Sequence, residues 1–372
     1  MIKKRKLVVA QVLPELNYGG VEKGTLELAR FLVERGHKSI IISGGGRLEK
    51  DLHNIGTHHI NLSLGNKSLL TLFLIPKLIK VLRNYKVDIL HARSRLPAWI
   101  CYITLKFVPK KNRPIFVTTV HGYNSVSMYS SIMTKGKKII VVSNGLSSYI
   151  KSNYKIDANK INVIYRGVNS DNYPYGYKPN LKWITLWNNE FPQTVNKIIL
   201  TLPGRLTERK GHEDFIRLLS TLTKKYKNIH GLIVGDSNKK NYKTKLQNMI
   251  VSYNLSAYIS FTGHRDDIKE IFAISGIVYS LSDKPEAFGR TVIESIKLGV
   301  PVIGYDHGGV GEQLAKIFKE GIIRHKDQDL LEKVSEQFII KRPIVKKTKL
   351  FNLQNTLIKT LKLYSDIVLL RN

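Results

Sequence analysis

Short β-branched apolar runs, each followed by a helical pattern, recur along this chain, and no other feature limits its fold so tightly. Lys6–Val12, Lys38–Ser43, Val87–Leu90, Ile115–Val120, Lys138–Val142 and Asn162–Ile164 are apolar without strict alternation, which predicts strands buried on both faces. Between them Val21–Arg35 predicts an amphipathic helix closed by Gly36, and Ser68–Arg83 and Asn144–Tyr154 predict further helices. Strand and helix in alternation, with tight turns, specify a parallel, doubly wound α/β sheet.

The rhythm breaks at 169–196, where Asp171 to Pro179 is rich in turn residues and two tryptophans follow without a clean period. It then restarts with strands expected at Ile198–Leu202, His230–Val234, Tyr258–Phe261, Gly276–Ser280 and Pro301–Gly304. Helices are expected at Gly211–Tyr226, Lys243–Tyr253 and Arg290–Leu298. The division that follows is 1–168 and 197–348 as two Rossmann-like domains, 169–196 as a linker, and 349–372 as a terminal helix packing back on the N-terminal domain. A length of 372 residues suits two domains that each bury a core. Open sheets of this kind bind ligands beyond the carboxyl ends of their strands, so two facing domains imply a central cleft.

One cysteine, Cys101, rules out an intramolecular disulfide framework and a cysteine zinc cluster. The basic start Met1–Lys6 is followed by an apolar run too short for a secretory signal, and Leu69–Ile75, broken by Pro76, is too short to span a bilayer. The expectation is a soluble or surface-bound protein.

Several positions carry chemistry. Asn17-Tyr18-Gly19-Gly20 stands between the first strand and its helix; glycines there admit a close ligand, and a helix N-terminus favours an anion. A tight turn needing positive φ suits the pair equally well. His121, and less strongly His91, end central strands, where an imidazole meets a ligand or bonds backbone. Arg205 and Lys210 share the loop Pro203–Gly211 above a helix N-terminus, a diphosphate site or a solvated charged loop. Pro285-Glu286-Ala287-Phe288-Gly289-Arg290-Thr291-Val292-Ile293-Glu294 places one carboxylate and a row of amides before a helix, with a second carboxylate inside it. Carboxylates accept well from vicinal hydroxyls, although acids also favour helix starts for the dipole alone. Asp327-Gln328-Asp329 matches a metal-binding Asp-x-Asp but sits where a helix cap is needed.

Taken in chain order, Gly19-Gly20, Val120-His121-Gly122, the Gly204–Gly211 loop, the Glu286-x7-Glu294 block, Leu298–Ile303 and Gly308–Glu312 resemble the retaining nucleotide-sugar glycosyltransferases of family 4, of the two-domain GT-B fold. The likeness covers nearly the whole chain. It implies that Gly19, Gly20, Arg205 and Lys210 hold the donor diphosphate, and that Glu286, Ala287, Phe288 and Gly289 hold the transferred sugar. Glu294 would bond the ribose, and His121 would stand with Glu286 at the reaction centre. Gly235, His264 and Arg265 match loops that contact the base, a UDP-sugar being favoured over a GDP-sugar. It also implies no cofactor and no metal, and an acceptor site in the first domain. The chain departs from the pattern after Glu312, where Leu314–Phe318 runs almost directly into Gly321-Ile322-Ile323.

The net charge is +32, from 60 Lys and Arg against 28 Asp and Glu. Lys67 to Lys86 carries no acid among many apolar residues, and Lys106, Lys110, Lys111 and Arg113 follow another apolar stretch. Lys77, Lys80, Arg83 and Lys86 are expected to face an anionic membrane. No nucleic-acid-binding signature is present, so nucleic acid is not an expected partner. The expected activity is retaining transfer to a lipid-linked or lipopolysaccharide-type acceptor. The expected location is cytoplasmic, peripheral on the inner face of the plasma membrane. A soluble acceptor, another nucleotide-sugar reaction such as epimerisation, and a non-catalytic polyanion-binding protein are the alternatives.

Overall fold

The computed structural model describes residues 5–17, 19–236 and 240–371; Met1–Lys4 of the basic start and Tyr18 of the first glycine turn lie outside the described residues. The chain forms two compact units, Arg166–Leu353 being the second and the segments on either side of it the first.

In the first unit the strands are β1 (Val8–Val12), β2 (Lys38–Ser43), β3 (His58–Asn61), β4 (Ile89–Ala92), β5 (Ile115–Val120), β6 (Lys138–Val141) and β7 (Ile161–Val163). They pair in parallel in the order β3-β2-β1-β4-β5-β6-β7. The helices between them are α1 (Gly20–Glu34), α2 (Lys50–Ile55), α3 (Ile75–Asn84), α4 (Arg95–Phe107), α5 (Met128–Ser131) and α6 (Asn144–Asn153). α1 buries Leu26 and Ala29 against Leu13, Ile41 and Leu52, so its apolar stripe closes one face of the sheet. The expected helix Ser68–Arg83 is in fact two elements, a 3-10 segment Leu69–Leu74 and then α3. Pro76 explains the division, because it lacks an N–H and is tolerated only in the first helical turn.

The second unit opens with α7 (Leu181–Glu190). It continues with β8 (Ile198–Pro203), α8 (His212–Lys225), β9 (Ile229–Val234), α9 (Lys240–Ser252), β10 (Ile259–Gly263), α10 (Ile268–Ile274) and β11 (Ser275–Ser280). Then come α11 (Arg290–Leu298), β12 (Val302–Tyr305), α12 (Gly308–Ile317), β13 (Ile322–Ile323) and α13 (Gln328–Ile340). Its parallel sheet has the order β10-β9-β8-β11-β12-β13. Residues 169–196, expected as a linker, are built into this unit. Trp187 and Phe191 are buried with Ile199, Leu232 and Ile271, and Trp183 stacks on Trp187 at 5.2 Å. Two aromatic rings four residues apart thus gave α7 a core face that a turn-rich flank concealed. Asp327 caps α13 by accepting from the Leu330 N–H at 2.9 Å, which accounts for the Asp-x-Asp pattern.

The last helix, α14 (Leu353–Leu369), belongs from Gln354 onward to the first unit. Tyr364 is fully buried there and His91 lies between its hydroxyl and that of Thr119, both at 2.6 Å. His91 is therefore a buried tie joining α14 to β4 and β5. Burial, and secondarily Arg93, holds its pKa well below the ordinary histidine range.

Two more buried histidines share this behaviour in the second unit: burial brings His212 and His230 down to about 4. Above pH 6.5 both states of each group are neutral. As pH falls from 6.5 towards 4 the unfolded chain binds protons first, so each ring removes roughly 1.4 kcal/mol of stability per pH unit. The melting temperature should fall steadily from pH 6.5 to 4.5, and His230→Gln should flatten that slope. A wild-type profile level across this window would contradict the neutral, buried assignment.

Candidate active site

In each sheet the chain order reverses beside the first strand of the unit, between β1 and β4 and between β8 and β11. Loops leaving the carboxyl ends of such neighbours diverge to opposite faces and leave room for a ligand. The residues singled out in the sequence follow those ends.

In the second unit the loop after β8 meets the loop after β11. Gly211 has φ +73° and its Cα faces the Leu281 carbonyl so closely that a Cβ would lie 1.9 Å from that oxygen; only glycine fits. The Asp283 N–H donates to the Arg209 carbonyl at 2.8 Å, fastening the loops a second time. This places the Lys210 ammonium 2.7 Å from Glu286 Oε1, with the two side chains 31% and 24% exposed. Ser282 also donates to Glu286 Oε1, and His307 Nε2 donates to the Ser282 carbonyl at 2.7 Å. Burial opposes ionisation of Glu286, but Lys210 and the Ser282 hydroxyl outweigh it and hold the carboxyl below its usual range. At neutral pH the site therefore holds a true ion pair, still open to solvent. Arg205 is exposed on the same loop.

Beyond Glu286 the backbone is held by its carbonyls. Gln313 Nε2 donates to the carbonyl of Phe288 and, at 3.2 Å, to that of Gly289, while the Gly309 N–H donates to the Glu286 carbonyl at 2.7 Å. Among the described residues the N–H groups of Ala287, Phe288 and Gly289 meet no acceptor. Three amide donors at the N-terminus of α11 are thus left for an anionic or hydroxylated ligand. Glu294, one turn into α11, is almost sealed, and its Oε1 accepts from Arg290 Nε at 3.2 Å.

The loops after β9 and β10 join this group. Gly235 has φ +150°, and a Cβ there would lie 2.1 Å from the Gly204 carbonyl, so it packs directly under the Pro203–Gly211 loop. Gly235 also bridges Gly263, just before His264, which is exposed. Arg265 does different work from the expected base contact. Its guanidinium grips Asp267 bidentately at 2.7 and 2.8 Å, bonds Glu190 at 2.8 and 2.9 Å, and lies over the Trp187 ring. It is only 18% exposed and clamps α7 to the β10 loop.

In the first unit Gly19 caps α1 and His121 directly follows β5. Gly19 is extended (φ 175°) and neither it nor Gly20 is in the left-handed region, so turn geometry does not demand glycine there. The Glu22 carboxylate lies against Gly19, where a Cβ would come within 2.3 Å of its Oε2, so a side chain at this position would displace Glu22. Two supporting residues, Asp214 and Gln313, escaped sequence reading although each lies just past a recognised motif, Gly204–Gly211 and Gly308–Glu312. Asp214 on α8 is buried and accepts from Tyr305 at 2.7 Å and Lys326 at 2.9 Å, fixing the helix beneath Lys210. A polar residue on an otherwise apolar buried face was the available signal for Asp214 and Gln313. Among the described residues no three His, Cys, Asp or Glu side chains are grouped to hold a metal.

Lys210→Met leaves Glu286 partly buried beside Ser282 with its cation gone, which should cost about 1–3 kcal/mol of stability. Adding Glu286→Gln should recover most of that loss while nucleotide-sugar binding stays impaired. Equal melting temperatures for the single and double variants would show that the pair is not coupled.

Residues 18–172 match the family model described as Glycosyltransferase Family 4, and residues 185–351 match that described as Glycosyl transferases group 1. A solved glycosyltransferase from Rickettsia africae ESF-5 is 32% identical, with 98% of this chain and 99% of that one covered and a TM-score of 0.81. The Alr3699/HepE protein of Anabaena, solved in complex with UDP and glucose, superposes at a TM-score of 0.80 over 97% of this chain and all of that one, at 18% identity. Among curated relatives, N-acetyl-alpha-D-glucosaminyl L-malate synthase of Bacillus anthracis is 26% identical over 83% of this chain and 79% of its own length. The O-antigen biosynthesis glycosyltransferase WclY of Escherichia coli is 26% identical over 59% of this chain and 61% of its own. With both units matched and a structural relative aligned end to end, this chain belongs to the family 4 glycosyltransferases of the GT-B fold.

Proposed function

We propose that the enzyme transfers a sugar from a UDP-sugar, with retention of configuration, to a lipid-linked or lipopolysaccharide-type acceptor at the inner membrane face. The observation that carries the donor half is the convergence of Lys210, Glu286 and three unpartnered amides on one surface of the second unit. Lys210 and Arg205 match the two negative charges of a diphosphate, and the α11 amides add partial positive charge without a counter-ion. Glu286 beside them accepts from sugar hydroxyls, and Glu294 shares its second oxygen with the ribose. UDP with glucose on the Anabaena relative supports the choice of base.

In this mechanism the anomeric carbon–oxygen bond to the diphosphate breaks while Arg205, Lys210 and the amides take up the developing charge. The acceptor hydroxyl attacks from the same face, and its proton passes to the departing phosphate oxygen. His121 stabilises the transition state. No metal is invoked, because the cations and amides meet the diphosphate charge.

The membrane half rests on exposure. Leu69 and Phe73 are 84% and 76% exposed, and Leu70 and Leu72 are exposed beside them. Lys77, Lys80, Arg83 and Lys86 are also exposed, whereas Leu78 and Leu82 of α3 are buried. An apolar tip followed by cations suits insertion into an anionic interface. No described helix is long and apolar enough to cross a membrane. The O-antigen role in the name of the Escherichia coli relative supports an envelope acceptor.

Glu294→Ala should weaken free UDP as much as UDP-sugar, whereas Glu286→Ala should spare UDP and depress turnover. Matching effects on free UDP would remove this division, and an inverted product by NMR would remove retention. Each basic residue near an anionic surface contributes about 1 kcal/mol. Binding to anionic vesicles should therefore fall steeply above roughly 0.3 M salt. Replacing Lys77, Lys80, Arg83 and Lys86 with Gln should weaken vesicle binding and leave donor hydrolysis intact. Wild-type protein that ignores such vesicles would favour a soluble acceptor.

A further inference from the structure

Two adjoining pockets open on the edge of the first sheet opposite its carboxyl ends. The larger, of about 700 Å³, is bounded by Ile115 and Lys138, which begin β5 and β6, and by Asp157 and Lys160 just before β7. His121 follows the other end of β5, a strand of six residues and so about 17 Å away. This pocket is thus separate from the carboxyl-end surface expected to face substrate.

Its lining divides by chemistry. The floor is apolar: Leu105, Phe116 and Ile367 are buried there, Tyr102 stands beside them, and Leu370 lies at the rim, 85% exposed. The walls carry eight Lys and Arg against one acid, Asp157. Among the described residues none of these eight has a carboxylate partner; Lys138 and Arg371, for example, bond only backbone carbonyls. Like charges gathered without counter-charges repel, and the arrangement becomes favourable when a ligand supplies the anion. The smaller pocket, of about 410 Å³, shares Ile115 and Arg371 with the first and adds Arg83, Lys86 and Lys111. The basic edge therefore runs on into the cations already assigned to the membrane.

We propose that this amino-terminal edge is a binding site for an anionic phospholipid, the phosphate held among Lys106, Lys110 and Lys137 and the first acyl carbons laid on Tyr102, Leu105 and Phe116. A bare anion would leave the floor unfilled, since the volume falls in the range of small-molecule sites. A nucleic acid would call for a row of exposed rings on which bases stack, and the floor is mostly aliphatic. The proposal deepens the membrane reading by naming a lipid and a second contact region, away from the Leu69–Phe73 tip.

The test is titration of the full chain with dihexanoyl-phosphatidylglycerol below its micelle concentration. Dihexanoyl-phosphatidylcholine, inorganic phosphate and a short DNA duplex serve as comparison ligands. Phosphatidylglycerol should saturate, with the other two small ligands at least tenfold weaker. Lys106→Gln/Lys110→Gln/Lys137→Gln should lose at least tenfold in phosphatidylglycerol affinity. Leu370→Ser should weaken the lipid severalfold and leave phosphate unchanged, with UDP binding intact in both variants as the check on folding. No bilayer is present, so the Leu69–Phe73 tip plays no part; failure here leaves the vesicle result standing, and the reverse holds. The proposal is overturned by equal affinity for phosphate and phosphatidylglycerol, by a triple variant that binds like wild type, or by a duplex that outcompetes the lipid.

Discussion

A parallel sheet points every strand the same way, so each unit has one edge where all strands end and another where all begin. That directionality governs where chemistry stands in this molecule. Most residues named for donor chemistry lie in the loops that leave carboxyl ends: Gly19, His121, Lys210 and Glu286 after β1, β5, β8 and β11. Loops there lead into helix N-termini, which present amides and partial positive charge. The opposite edge gathers helix C-terminal ends and strand starts, where Lys and Arg are electrostatically at ease. A basic amino-terminal edge is thus cheap to build, and the first unit carries a dense one.

The ion pair of Lys210 with Glu286 shows how the carboxyl edge is kept ready for a substrate. Neither group is fully buried, so the pair is worth little to stability in itself. Its value lies in position: two loops from neighbouring strands are fastened by Gly211 against Leu281 and by Asp283 against Arg209, and the side chains follow. Gln313 and Gly309 occupy carbonyls of the next turn, leaving its amides unspent. A diphosphate bound as proposed would meet donors already oriented, with little left to reorganise.

Among the described strands all but the short β3 and β13, which were not expected, were legible because continuous β-branched runs have few other fates, and their observed bounds differ from the expected ones by at most two residues. The Glu286-x7-Glu294 block and the Arg205–Lys210 loop were legible because charges in a fixed relation to a helix start are uncommon. Illegible were the parts whose reason lies elsewhere in the fold. α7 looked like linker because its two tryptophans acquire a core only when β8, β9 and α10 are present. Arg265 read as a base contact because its partners, Glu190 and Asp267, are 75 and 2 residues away and only the first needs the fold to arrive. His91 could not be separated from His121 by local pattern, and what separates them is Tyr364, 273 residues downstream.

The charge asks for an account that the donor site alone does not supply. The proposed donor site uses two cations, Arg205 and Lys210, whereas the chain carries an excess of 32. Self-repulsion of that size destabilises a compact state unless cations are spread over the surface or met by anions. In the second unit many are met internally, as Lys225 is by Glu332 and Glu336, Lys245 by Glu213 and Lys326 by Asp214 and Asp283. Around the amino-terminal edge of the first unit the acids are few. Asp88 pairs with Arg5, and Asp157 stands alone among eight cations. Unbalanced charge confined to one edge of one unit, over an apolar floor, is the pattern expected when the counter-ion belongs to something outside the chain.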